Sequence, residues 1–74
     1  MNPKAIGQRL RKLRGIRTRR GVATETGIGY SALSNYEAGI RIPNDEVKLV
    51  LARYYGVTVD ELFYSDSQTV NDSD

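Results

Sequence analysis

Gly27-Ile28-Gly29-Tyr30-Ser31-Ala32-Leu33-Ser34-Asn35-Tyr36-Glu37-Ala38-Gly39 reads as a glycine-bracketed turn, then a short helix that stops at another glycine. Glycine tolerates positive φ, so Gly27 suits the end of a preceding helix and Gly39 the end of the one that follows. Leu33 and Tyr36, three apart, share one face, with Ile28 ahead of them as a staple residue. Tyr30, Ser31, Ser34 and Asn35 fall on the opposite side. Exposed helix faces normally carry Lys and Glu, whereas this one is uncharged and rich in hydrogen-bonding groups. Such a face suits a polar surface, and the floor of a DNA major groove is one.

Upstream of this stretch, Thr18 reads as the N-cap of a second helix running through Val22 and Ala23 to about Thr26. Gly21 costs that helix about 1 kcal/mol relative to alanine, and Thr24 and Thr26 are poor helix formers. Ala23 either admits a closely crossing helix or is simply a helix former. Further back, Asn2 and Pro3 open a first helix. Its buried stripe is Ile6, Leu10 and Leu13, and Gln8, Arg9, Arg11 and Lys12 turn outward. Gly15 ends it, and Ile16 is expected to fold back into the core.

Downstream, Ile40-Arg41-Ile42-Pro43 is an extended loop, because the residue before proline is pushed out of the α region. Asn44 or Asp45 caps a fourth helix whose apolar set is Val47, Val50, Leu51 and Tyr54 or Tyr55. Ala52 makes a close contact there, and Gly56 is the stop. Thr58-Val59-Asp60-Glu61 has the form of a capping box and opens a short fifth helix through Leu62 and Phe63. The pattern is all-α, a compact five-helix domain over residues 1–64. The polar residues 65–74 are expected to be a disordered acidic tail.

Seventy-four residues allow one small core, without cysteine or histidine to build a disulfide, a thiolate or imidazole metal site, or the commonest general base. No cofactor or metal is expected. With the acids scattered over caps and tail, no catalytic constellation can be nominated, so an enzyme is not expected. No apolar run approaches the roughly 18 residues of a membrane span, and a cytoplasmic setting is the expectation. The net charge of +2 hides its distribution. Lys4, Arg9, Arg11, Lys12, Arg14, Arg17, Arg19 and Arg20 occur in residues 1–20 without an acid. Asp60, Glu61, Asp66, Asp72 and Asp74 occur in residues 60–74 without a base. One end of the chain therefore suits a polyanion.

Thr18, Ala23, Gly27, Leu33, Ser34, Tyr36, Glu37 and Gly39, in that order, resemble the helix-turn-helix of the lambda-repressor/Cro-like DNA-binding family, at about residues 18–38. The flanking segments Ile6 to Arg14, Arg41-Ile42-Pro43 and Tyr55 to Phe63 resemble that family's first helix, post-recognition loop and closing segment. The resemblance covers residues 3–63. It departs from the pattern in a shorter stretch from Arg14 to Ala23 and in Arg19 where glutamine is usual. Gly21 stands where a polar residue is usual, and Thr26 where leucine is. The last two imply a looser second helix.

The resemblance implies that the third helix enters the major groove of double-stranded DNA, with Tyr30, Ser31, Ser34 and Asn35 at the base-reading positions. Asn35 has the chemistry to engage adenine bidentately. Tyr30 suits either a thymine methyl or a phosphate. Arg17, Arg19, Arg20 and Arg41 are expected on phosphates. Arg14 and Glu37 match positions that form a structural ion pair. A homodimer on an inverted repeat is expected, with half-sites roughly 34 Å apart. Leu62, Phe63 and Tyr64 either supply its interface or close the core. A repressor is the expected role. The alternatives are an antitoxin gripping a protein partner, or an interaction adaptor without DNA binding.

Overall fold

The computed structural model describes residues 1–65, so the tail expected over residues 65–74 lies, apart from Ser65, outside the described residues. The order is α1 (Pro3–Arg14), α2 (Arg19–Thr26), α3 (Tyr30–Glu37) and α4 (Asp45–Tyr55), then a π-helical closing segment, Asp60–Tyr64. Among the described residues there is no strand.

Local side-chain bonds set where the elements begin. Asn2 Oδ1 accepts from the Lys4 and Ala5 amides at 3.0 and 3.2 Å. Thr18 Oγ1 accepts from the Gly21 amide at 2.9 Å, and Asn44 Oδ1 from the Val47 amide at 2.9 Å. Each satisfies amides that the first turn leaves without an intrahelical partner. Thr58 and Glu61 exchange bonds of 2.9 and 3.0 Å at the closing segment. The bond from the Thr58 amide holds the Glu61 carboxyl below its ordinary range. At the end of α3, Gly39 takes φ +77 while the Ile40 amide reaches Asn35 O at 3.0 Å and the Gly39 amide reaches Tyr36 O at 3.2 Å. This left-handed exit stops the helix just past Glu37.

The core is built from Ile6 and Leu10 of α1, Val22 and Ala23 of α2, Leu33 and Tyr36 of α3, Leu51 of α4, and Leu62 and Phe63. Across this core α1 packs on α3, α2 on α3 and α4, and the closing segment on α1. The tightest approach is at Gly7, where an ideal Cβ would lie 2.4 Å from the Glu37 carbonyl oxygen and 3.0 Å from that of Tyr36. Only a residue without a side chain lets α1 cross the end of α3 at this distance.

Several expectations are corrected. Leu62 and Phe63 are fully in the core and are not available as a dimer interface. Tyr64 is 36 % exposed, and its hydroxyl accepts from Lys48 Nζ at 3.2 Å. Lys48 is itself buried, with its ammonium 5.8 and 5.3 Å from the Phe63 and Tyr64 ring centroids. The cation–π contacts and the hydroxyl thus clamp the closing segment onto α4. Val50, expected inward, faces out because Lys48, Leu51 and Ala52 take the buried side of α4. Arg9, expected outward, is half-buried and donates from Nε to Leu62 O at 2.7 Å.

Ile16, expected in the core, is fully exposed. The Arg17 amide donates to Arg14 O at 3.0 Å, closing a four-residue turn with Gly15 and Ile16 at its tip. Gly15 takes φ +58 there, so the corner is too tight to fold Ile16 back.

Replacing Gly7 with alanine is expected to destabilise the fold by about 1–3 kcal/mol in urea unfolding, since the obstruction is backbone that cannot rotate away. An unchanged unfolding midpoint would rule out the close crossing. Tyr55 gives a second expectation. Burial, then the nearby Glu37 charge, pushes its hydroxyl up from 10.0 to about 12. A raised acid contributes stability that is full below pH 10 and is lost as pH rises through about 12. Tyr55→Phe should therefore lose less stability than the parent across that window, and identical alkaline slopes would count against it.

Candidate nucleic-acid interface

The turn between α2 and α3 is held by one hydroxyl as well as by glycine. Gly27 sits at φ +78, and its amide reaches Ala23 O at 2.9 Å. Thr26 Oγ1 donates to Val22 O at 2.7 Å and accepts from the Ile28 amide at 3.2 Å. Threonine, which its helix propensity alone marks as a weakness, here pins the outgoing strand of the turn to the helix it leaves. Ile28 then packs against the core and fixes where α3 begins.

Arg14 and Glu37 orient α3 from its other end. Arg14 Nε lies 2.9 Å from Glu37 Oε2, and the carboxylate side chain is 2 % exposed. Arg14 Nη1 also donates to Arg17 O at 2.9 Å, so the same guanidinium secures the corner before α2. Arg11 Nη1 donates to Glu37 O at 3.2 Å, satisfying a carbonyl of the last turn. The sequence reading assigned no role to Arg11; its partner is a backbone carbonyl 26 residues away, which no local pattern announces.

What α3 leaves uncovered is short. Tyr30 and Ser31 are exposed, and Asn35 is half-buried, one turn beyond Ser31. Ser34 does not belong to this face in the way its spacing suggested: its Oγ is buried and makes no hydrogen bond among the described residues. Its place on the helix turns the hydroxyl inward, beside the core residue Leu33.

Tyr30 connects α3 to the basic start of α2. The Arg20 guanidinium lies 5.1 Å and that of Arg19 5.9 Å from its ring centroid. A shared aromatic face thus gathers two cations at the N-terminal ends of both helices. Arg14, Arg17, Thr18, Arg19, Arg20 and Tyr30 line an open recess, with Ile16 at its lip. Arg17 is turned partly inward, donating from Nη1 to Leu13 O at 3.3 Å, with its guanidinium 5.8 Å from the Tyr54 ring centroid. Tyr54 in turn donates to Glu25 Oε1, a bond that raises the Tyr54 hydroxyl's titration above its ordinary value. Arg41 is exposed at the opposite end of α3. The two basic positions therefore flank the uncharged exposed face of α3. Among the described residues, no group of three or more His, Cys, Asp or Glu could hold a metal ion, and no helix is long and apolar enough to cross a membrane.

A family model described as a helix-turn-helix domain covers residues 5–62. No curated protein and no solved structure matches the chain.

Thr26→Val removes the hydroxyl while keeping the shape. It should cost about 1 kcal/mol of stability by stranding the Ile28 amide, and it should speed amide exchange in residues 26–30. Exchange as slow as in the parent would show that the hydroxyl does not hold the turn.

Proposed function

Because the chain belongs to the helix-turn-helix domain family, we propose that it is a small regulator of the lambda-repressor/Cro-like kind that binds double-stranded DNA with α3 in the major groove. The observation that carries this reading is the pairing of an uncharged exposed face on α3 with two arginines gathered on its first residue. Affinity and reading then have separate sources. Arg19 and Arg20, with Arg41 beyond the far end of α3, contact phosphates and set the position of the helix without distinguishing sequences. Ser31 and Asn35 meet base edges, Asn35 through its amide on an adenine. The Tyr30 ring is occupied by the two guanidiniums, which leaves its hydroxyl for a phosphate. Arg17, drawn toward Tyr54, is a weaker phosphate contact than its neighbours, and Arg14 and Glu37 act in the architecture.

One copy reads only a few base pairs, too few for about 10³-fold selectivity over random DNA. The functional unit is therefore a homodimer on an inverted repeat, its half-sites roughly 34 Å apart. Occupying an operator in this way makes it a repressor, acting in the cytoplasm at the nucleoid.

Selection from random duplexes, followed by footprinting, tests the reading and should return an inverted repeat. Asn35→Ala should cost about 1–3 kcal/mol and blur preference at one base pair per half-site. Arg19→Ala should weaken all sequences alike and flatten the slope of log K against log salt by about 0.9 per subunit. Absence of duplex binding at low salt would remove the proposal. Equal, sequence-independent losses from both substitutions would remove the base-reading role of Asn35.

A further inference from the structure

The dimer just proposed needs a surface, and Leu62 and Phe63 are spent on the core. The outer side of α4 has the required form. Glu46, Leu49, Val50 and Arg53 are exposed along it, while Lys48, Leu51 and Ala52 face the core. Leu49 is 44 % and Val50 37 % exposed. Single exposed apolar residues are ordinary on a small domain. An adjacent apolar pair bracketed by an acid one turn before it and a base one turn after it is a more specific pattern. Neither Glu46 nor Arg53 has an ion-pair partner among the described residues.

We infer that this face binds a second copy of the chain through an antiparallel α4–α4 contact about a two-fold axis passing between Leu49 and Val50. The helical order is self-complementary about that point. Leu49 of each copy meets Val50 of the other, and Glu46 of each meets Arg53 of the other, so every contact occurs twice. A parallel arrangement would set Glu46 against Glu46 and Arg53 against Arg53, which like-charge repulsion disfavours. The contact is small. A standard interface buries about 800 Å² per partner, and four side chains of one helix fall short of that. The free protein therefore dimerises weakly, and two half-sites on one duplex complete the association.

Sedimentation equilibrium of the full chain, carried to about 1 mM, tests this. The parent should show a monomer–dimer equilibrium in the range of roughly 10 μM to 1 mM. E46K and R53E should each weaken dimerisation at least about tenfold, because each reversal creates two like-charge pairs. The E46K/R53E double variant should return to within about threefold of the parent, since the swap rebuilds both pairs. Leu49→Ser, which leaves the charges alone, should also weaken the dimer, with circular dichroism verifying that all four variants fold. A protein monomeric throughout, or a dimer indifferent to the reversals, overturns the inference.

The inference rests on the dimeric reading of function, but the two fail separately. An inverted-repeat footprint with no effect of the reversals on self-association rejects this surface and leaves the DNA reading standing. The charge-swap pattern without any duplex binding supports the surface and rejects that reading.

Discussion

A carboxylate at the C-terminal end of α3 is the constraint on which the rest depends. Glu37 sits where the helix dipole disfavours negative charge and where its side chain is 2 % exposed. Arg14 makes that position tenable from the side chain, and Arg11 neutralises the adjoining carbonyl. A buried pair adds little net stability compared with a well-packed apolar pair, but stranding one member costs about 3–5 kcal/mol. Its value is therefore directional: α1 can dock against α3 at one height only. Gly7 completes the constraint by admitting the α3 backbone where a methyl group would not fit. With its C-terminal end locked and its start held by Thr26 and Ile28, α3 does without a side-chain cap at Gly29, and Tyr30 and Ser31 stay exposed.

The same economy divides the arginines. A cation-rich first twenty residues reads naturally as one polyanion-binding surface, yet much of it is spent internally. Arg9 ties α1 to the closing segment, Arg11 and Arg14 secure the end of α3, and Arg17 leans on Leu13 O and the Tyr54 ring. Arg19 and Arg20 stand apart from this group, meeting the rest of the protein through the Tyr30 face. Charge counting alone cannot make this division, because a guanidinium suits a carbonyl at a helix end as well as a phosphate.

The caps at Asn2, Thr18 and Thr58 were legible in the sequence, and that of α4 down to Asn44 or Asp45, because a cap and its amides lie two or three residues apart. Helix existence, order and approximate limits followed from them and from the apolar spacing. Features fixed by distant partners were not legible. Gly7 looks like any tolerated helix glycine until the end of α3 lies across it. Lys48 looks like a solvated lysine until Phe63 and Tyr64 close over it, and that burial is what leaves Val50 outside. Ile16 was misplaced for a different reason: apolarity suggested the core, and the turn between Arg14 and Arg17 overruled it. Thr26 was undervalued because propensity scales count what its hydroxyl costs a helix and not what it contributes to the next turn. At the reading face, spacing placed Ser31 and Asn35 outward but could not show that the Ser34 hydroxyl turns in.

A helix of eight residues such as α3 is too short to persist alone, since nucleation costs more than so few hydrogen bonds return. Its order is borrowed from contacts on its inner side, so every core substitution that loosens Leu33 or Tyr36 also moves Ser31 and Asn35. Arg19 and Arg20 begin α2 and lie on the ring of the first residue of α3, so a shift of α3 is felt at the start of α2. Tyr30 is thus the link between the N-terminal ends of α2 and α3. On the DNA-binding reading proposed above, the residues placed on phosphates and those placed on bases are coupled through that one ring.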